Sequence, residues 1–173
     1  MLEKIETKHR GNIFSLRFLP FTNDSLLVSC AADRAIYVHD LNRNQPLNEI
    51  HAHQNRVKRL VTLPNTSLVS SWILNDYFTN LIFVFRSVFL SAGEDGHVLQ
   101  HDIRAPSNEI SKLLLNYTLV SNYAEAKCLS INEINPFLLA VGCNDPYARV
   151  YDRRMINTRS LRRTSQANTS DTK

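Results

Sequence analysis

Three stretches of the chain repeat one arrangement of polar residues that could do chemistry. In LLVSCAADRAIYVHD, Asp33 is followed six residues later by His39 and then Asp40. In FLSAGEDGHVLQHD, Asp95 is followed at the same distance by His101 and Asp102. In LLAVGCNDPYARVYD, Asp145 is followed by Tyr151 and Asp152. Carboxylates beside imidazoles are the material of acid–base catalysis and metal ligation. The recurrence points elsewhere: an active site needs such a group once, whereas a turn needs its Asp in every repeat. His51 and His53 form an HxH pair with no further ligand at a sensible spacing, so no metal site is expected. Cys30, Cys128 and Cys143 are odd in number and lack CxxC spacing, which predicts buried free thiols rather than a disulfide scaffold or a zinc site. Cys128 and Cys143 in particular are expected in the core, with no His or Asn in a nucleophile pattern. GxGxxG, GxxxxGK[ST], GxSxG and HExxH are all absent from the sequence. No catalytic residue, metal or cofactor is therefore expected.

The elements that must position these residues are short strands. Leu26–Ser29 and Ala35–Val38 alternate as strands do and are joined by Ala32-Asp33-Arg34. The second copy carries Glu94-Asp95-Gly96, a stronger turn sequence. A further period-two segment precedes each hairpin: 13–18, 57–60 and 126–131. His9 and His53 stand a few residues before the first two of these. The unit is thus His, strand, loop, strand, Asp turn, strand, then a ring and an Asp.

This unit resembles the WD40 repeat of β-propellers. In that family a His, a Ser or Thr, the turn Asp and a Trp form a buried hydrogen-bonded set. The resemblance implies such a structural network from His9, Ser29 and Asp33 in copy one, and from His53, Ser91 and Asp95 in copy two. Asp145 is the corresponding turn residue of copy three, where Val141 takes the Ser slot and the leading His is missing. His39, His101 and Tyr151 stand where the family has Trp, so its N–H donor is absent or changed. The ordered strings NIFSLRFLP, VHDL, NRVKRL, SAGEDG, EAKCL, LAVG and YDRRM are further similar to the adipose-type proteins, which join WD40 repeats to tetratricopeptide repeats. The implied fold is all-β, a partial WD40 β-propeller of about three blades of a longer one. Residues 1–8 are an N-terminal extension, 9–50, 51–104 and 105–152 are blades, and 153–173 a basic polar tail. Asp40 and Asp102 lie 62 residues apart, against a family period of about 40–45. Residues 65–88, apolar without clear period, read as an insertion in the second blade or as translated non-coding sequence.

Two copies end in ring-Asp-x-Arg: His101-Asp102-Ile103-Arg104 and Tyr151-Asp152-Arg153-Arg154. The first ends His39-Asp40-Leu41-Asn42 and has no Arg there. This ending is similar to the box by which WD40 substrate receptors of cullin-4 ubiquitin ligases dock their damaged-DNA-binding adaptor protein. The resemblance implies adaptor docking through Asp102, Arg104, Asp152 and Arg154, where each Arg offers a planar fork of donors. The residues alone equally allow each Arg to pair with its own Asp. Three readings of the whole follow. One is a non-enzymatic interaction scaffold in protein ubiquitination. Another is a truncated or mis-spliced propeller fragment without stable function. The third is a propeller enzyme, for which the sequence offers no His or carboxylate cluster outside the repeat positions.

Charge supports neither a nucleic-acid partner nor a membrane. Residues 153–173 carry six basic side chains and one acid, leaving the body at −1 and the tail at +5, so the pI near 9.1 belongs to the tail. The longest uncharged apolar run, 60–75, has 16 residues and contains Pro64, short of the roughly 20 a spanning helix needs. MLEKIETKHR has no apolar signal region. With free thiols, this places the expected chain in the cytoplasm and/or nucleus.

Overall fold

The computed structural model describes residues 4–63, 87–106, 109–117 and 124–156. They form three antiparallel sheets. The first runs β1 (Ile13–Phe18), β2 (Leu26–Ala31), β3 (Ile36–Asp40), β4 (Gln45–Ile50), each strand pairing with the next. The second repeats that order with β5 (Val57–Thr62), β6 (Val88–Gly93), β7 (His97–Asp102) and β8 (Ser111–Asn116). The third has β9 (Ala126–Ile131), β10 (Leu138–Cys143) and β11 (Ala148–Asp152) among the described residues. The fold is all-β, a partial WD40 propeller. The expected insertion 65–88 lies outside the described residues up to position 86. Ser87 and Val88 are buried, and Val88 opens β6 opposite Asp102, so the end of that segment belongs to the blade.

Sequence reading found three strands per unit and missed β4 and β8. QPLNEI mixes polar residues with Pro46, as suits an outer strand with one free edge, and SKLLLN runs three Leu together without alternation.

The blades stack face to face around two apolar seams. Val28, Cys30, Ile36, Val38 and Ile50 of the first sheet meet Val57, Leu60, Phe89 and Ile110 of the second. Val61, Leu90, Ala92, Val98 and Leu114 of the second meet Ala126, Leu129, Leu139 and Val141. Successive side chains of a strand point to opposite faces. All six residues of β6 are therefore buried, Phe89 towards the first sheet and Leu90 towards the third. Along the innermost strands, Ser15 Oγ accepts Leu60 N–H at 3.2 Å, and Glu94 takes ion pairs from Lys58 (3.2 Å) and Lys127 (2.9 Å).

Seam packing, not residue type, decides burial. Leu16 and Leu60 hold the same register, opposite Ser29 and Ser91. Leu60 is fully buried, whereas Leu16 is 45% and Phe18 52% exposed, because no sheet among the described residues covers that face of the first blade. No helix among the described residues is long and apolar enough to cross a membrane.

Candidate functional site

Antiparallel connectivity gives each blade two ends. At one end lie the β2–β3 and β6–β7 turns with the loops that lead into β1 and β5. At the other lie the turns after β3, β7 and β11 with the loops that follow β1 and β9. The first end holds the sets of His9 with Asp33 and His53 with Asp95, and the second the pairs of Asp102 with Arg104 and Asp152 with Arg154.

At the first end, His53 Nδ1 lies 2.9 Å from Asp95 Oδ2, and His53 Nε2 lies 2.6 Å from Ser91 Oγ. Ser91 Oγ is in turn 2.7 Å from His101 Nε2, and His101 Nδ1 is 2.8 Å from Ser111 Oγ. One direction of donation satisfies every atom with both rings neutral. Ser111 O–H donates to His101 Nδ1, His101 Nε2–H to Ser91, Ser91 O–H to His53 Nε2, and His53 Nδ1–H to the carboxylate. His101 is buried and stacked on Phe89, its ring centroid 4.8 Å away. Burial depresses its pKa to about 3, with the nearby His53 adding to the shift. Its Nε2–H supplies the donor that a Trp would supply, so the exchange keeps the direction of the bond. Gly93 lets this set close on the backbone: a methyl there would stand 2.5 Å from His53 Nδ1 and 2.7 Å from Asp95 Oδ1.

The first blade repeats the arrangement. His9 Nδ1 lies 3.0 Å from Asp33 Oδ2, and Ser29 Oγ bridges His9 Nε2 (2.8 Å) and His39 Nε2 (2.9 Å). The chain stops at His39, because Pro46 stands across the strand where Ser111 faces His101. Each Asp also ties the incoming loop to the turn. Asp33 accepts Arg10 N–H (2.8 Å) and Ala35 N–H (3.2 Å); Asp95 accepts Gln54 N–H (2.8 Å) and His97 N–H (3.1 Å). Burial pushes both carboxyls up, but these hydrogen bonds outweigh it and hold both below the usual range.

Asp145 does not join such a set. It is exposed, accepts Arg149 Nη1–H at 2.9 Å, and keeps only the contact to Tyr147 N–H. The loop tie passes to Asn144, whose Oδ1 accepts Glu125 N–H at 3.0 Å. Val141, 1% exposed, fills the Ser slot with apolar packing instead. The missing leading His is the sequence signal for this change; the role of Asn144, one position away, had none. His51 does not join His53: it is exposed and meets Glu49 Oε1 at 2.7 Å. Among the described residues no three His, Cys, Asp or Glu are grouped to hold a metal ion. The expectation that Cys128 packs in the core is wrong: it is exposed and Cys143 half-buried, since Leu129 takes the face of β9 towards the second sheet and no sheet among the described residues covers the other. Cys30 is buried, and burial pushes its thiol up to about 12.

At the second end the two Arg side chains take one geometry. Arg104 Nε lies 2.9 Å from Asp102 Oδ1 and its Nη2 2.6 Å from Oδ2. Arg154 Nε lies 3.0 Å from Asp152 Oδ1 and its Nη2 2.6 Å from Oδ2. In both, Oδ1 also accepts the Arg backbone N–H at 3.0 Å. Arg154 lies over the Phe137 ring, 4.5 Å from its centroid. Both guanidiniums stay exposed. The Arg154 hydrogen bond holds Asp152 at about 2, and Arg104 lowers Asp102 likewise. In the first blade Asn42 replaces the Arg, and Arg43 reaches Asp40 more loosely, at 3.5 Å. Arg153, which sequence reasoning missed, joins two blades: it donates to Pro136 O (3.2 Å) and to Gln100 Oε1 (3.1 Å) of the second sheet. At the equivalent places the other blades carry Leu41 and Ile103, so repeat comparison gave no sign of it.

No family model matches the chain. Its relatives are repeat proteins of one kind. WD and tetratricopeptide repeats protein 1 of Mus musculus is 36% identical over 169 residues, 96% of this chain and 22% of that protein. DDB1- and CUL4-associated factor 6 of Homo sapiens is 33% identical over 163 residues, 92% of this chain and 17% of that protein. The chain carries WD40 repeats. WD repeat protein iqw1 of Schizosaccharomyces pombe is 29% identical over 178 residues, 98% of this chain and 20% of that protein. The chain spans about a fifth of the length of these relatives. In WD40 terms, the His–Ser–Asp sets are the interior bracing of the first two blades, and the ring-Asp-x-Arg ends of the second and third are exposed polar features.

Proposed function

We propose that this WD40 chain is a non-enzymatic protein-interaction scaffold, of adipose type, that docks the damaged-DNA-binding adaptor of cullin-4 ubiquitin ligases. The carrying observation is the pair of matched forks, Arg104 on Asp102 and Arg154 on Asp152, at the same end of neighbouring blades. Each Asp holds its Arg in a fixed orientation, so little side-chain entropy remains to be lost on docking. The exposed edge of each guanidinium still offers N–H donors to a carbonyl or carboxylate. A relative named as DDB1- and CUL4-associated supports the same partner. The reading places the protein in the cytoplasm and/or nucleus and requires neither nucleic acid nor a membrane.

The test is binding of the purified adaptor to the chain and to Arg104→Ala, Arg154→Ala and the double variant. Truncation at a binding hot spot costs about 2 kcal/mol or more, which is roughly a thirtyfold loss in affinity. Circular dichroism confirms that each variant is folded. Full binding by a folded double variant would return both residues to pairing within their own blades.

A further inference from the structure

At the end opposite the two forks, the first blade carries a basic cleft that the repeat does not require. The cleft measures about 800 Å³ and is bounded by Lys8, Arg10, Arg34, Tyr37 and Glu49. Lys8 and Arg10 lie on the loop into β1, and Arg34 lies in the β2–β3 turn. Asp33 holds the two segments together by accepting Arg10 N–H, so the three cations converge by construction. All three are exposed, and among the described residues none of their side chains is in an ion pair.

The two carboxylates of the cleft are already engaged. Asp33 is taken by His9 and two backbone N–H groups. Glu49 Oε1 accepts Tyr37 O–H at 2.8 Å and lies 2.7 Å from His51 Nε2. Both carboxylates stay charged, and Lys8 helps to hold Glu49 below the usual range, so the three cations leave the cleft with an excess of positive charge.

The second blade is an internal control. It builds the same frame, with Asp95 accepting Gln54 and His97 N–H. Yet Ala52, Gln54 and Gly96 stand where the first blade has Lys8, Arg10 and Arg34. Arg34 even adopts φ 71°, the left-handed conformation that Gly96 takes at 72°. There a non-glycine residue is held at a cost of about 1 kcal/mol. Folding therefore gains nothing from an arginine at this position. We propose that this cleft binds an acidic segment of a protein partner, through carboxylates or phosphates seated between Lys8, Arg10 and Arg34. A nucleic-acid strand fits less well, because Glu49 and Asp33 would face its continuous row of phosphates. The inference is independent of adaptor docking: the two sets of residues lie at opposite ends of the blades, and either can fail alone.

The experiment uses the full chain and labelled peptides read by fluorescence anisotropy at low salt. The probes are a short polyglutamate, its phosphoserine counterpart, a polyglutamine control and a labelled single-stranded oligonucleotide. One variant transplants the residues of the second blade: Lys8→Ala, Arg10→Gln and Arg34→Gly. A second variant removes the same charge elsewhere: Arg43→Gln, Arg59→Gln and Lys112→Gln. The transplant is expected to weaken acidic-peptide binding about tenfold, as loss of three exposed charge contacts implies. The second variant should change it less than about threefold. Arg10→Gln and Lys8→Ala alone keep the test readable should the transplant lose its β signal. The preference between glutamate and phosphoserine identifies the anion. Equal weakening by both variants, no weakening by either, or tighter binding of a single-stranded oligonucleotide would overturn the proposal.

Discussion

Changing Ser91 to alanine removes one oxygen from the middle of a buried chain. Ser91 is fully buried, with its Oγ 2.6 Å from His53 Nε2 and 2.7 Å from His101 Nε2. Alanine leaves two ring nitrogens facing each other without a partner, in a space smaller than a water molecule needs. Each buried unsatisfied group costs about 1–3 kcal/mol, so the substitution costs about 2–6 kcal/mol. That is a large part of the roughly 5–15 kcal/mol of an ordinary domain. Ser29→Ala is the internal comparison. Ser29 bridges His9 and His39 in the same way, but on the face of the first blade turned away from the second. Ser29 is as fully buried as Ser91, and the His9 and His39 rings it joins are buried too, so the same cost of about 2–6 kcal/mol is expected. The assay is urea unfolding of the full chain, followed by circular dichroism. Ser91→Thr, which keeps the hydroxyl, should recover most of the loss. A Ser91→Ala variant within about 0.5 kcal/mol of the parent would refute the bracing role, since that is the scatter of an ordinary surface change. So would a Ser29→Ala variant that stays as close to the parent.

Two further outcomes follow from burial. His101 is held neutral with a pKa of about 3, against about 6.5 in the unfolded chain. The unfolded state therefore takes up the extra proton, and stability falls as pH drops below about 6.5 until it passes the folded value. At pH about 5.5 this one group costs about 1.4 kcal/mol, so urea midpoints measured between neutral and mildly acid pH should fall. His101→Phe should flatten that dependence, and an unchanged slope would remove His101 as its source. Asp95, whose folded pKa is lowered, adds a second loss only at pH near and below the ordinary carboxylate value. The thiols should separate kinetically under an aromatic disulfide reagent: exposed Cys128 reacts at once, and Cys30 only as fast as the protein opens. Equal rates in native buffer would contradict the burial of Cys30.

What the residues reveal unaided is whatever depends on chain neighbours. The six-residue step from Asp to ring is the length of a turn and one strand, so Asp33 with His39 and Asp95 with His101 declare the hairpins directly. His9 and His53 could be assigned because each stands four residues before the first strand of its blade, although its Asp lies 24 residues on in one blade and 42 in the other. Elements without a local period escaped. β4 and β8 are outer strands; the free edge of β4 tolerates polar residues and a proline, and β8 runs three Leu together, so no alternation marks them. Asn144 acts in place of Asp145 because the third blade has no leading His to draw the turn inward. Arg153 reaches Gln100 across 53 positions of sequence. Tertiary structure alone decided which of two equivalent leucines is core. Leu60 is covered by the first sheet and Leu16 by none among the described residues, although both sit in the same strand position opposite a serine. Apolar side chains become core only where a second surface removes them from water, and in a stack of blades the neighbouring blade provides that surface.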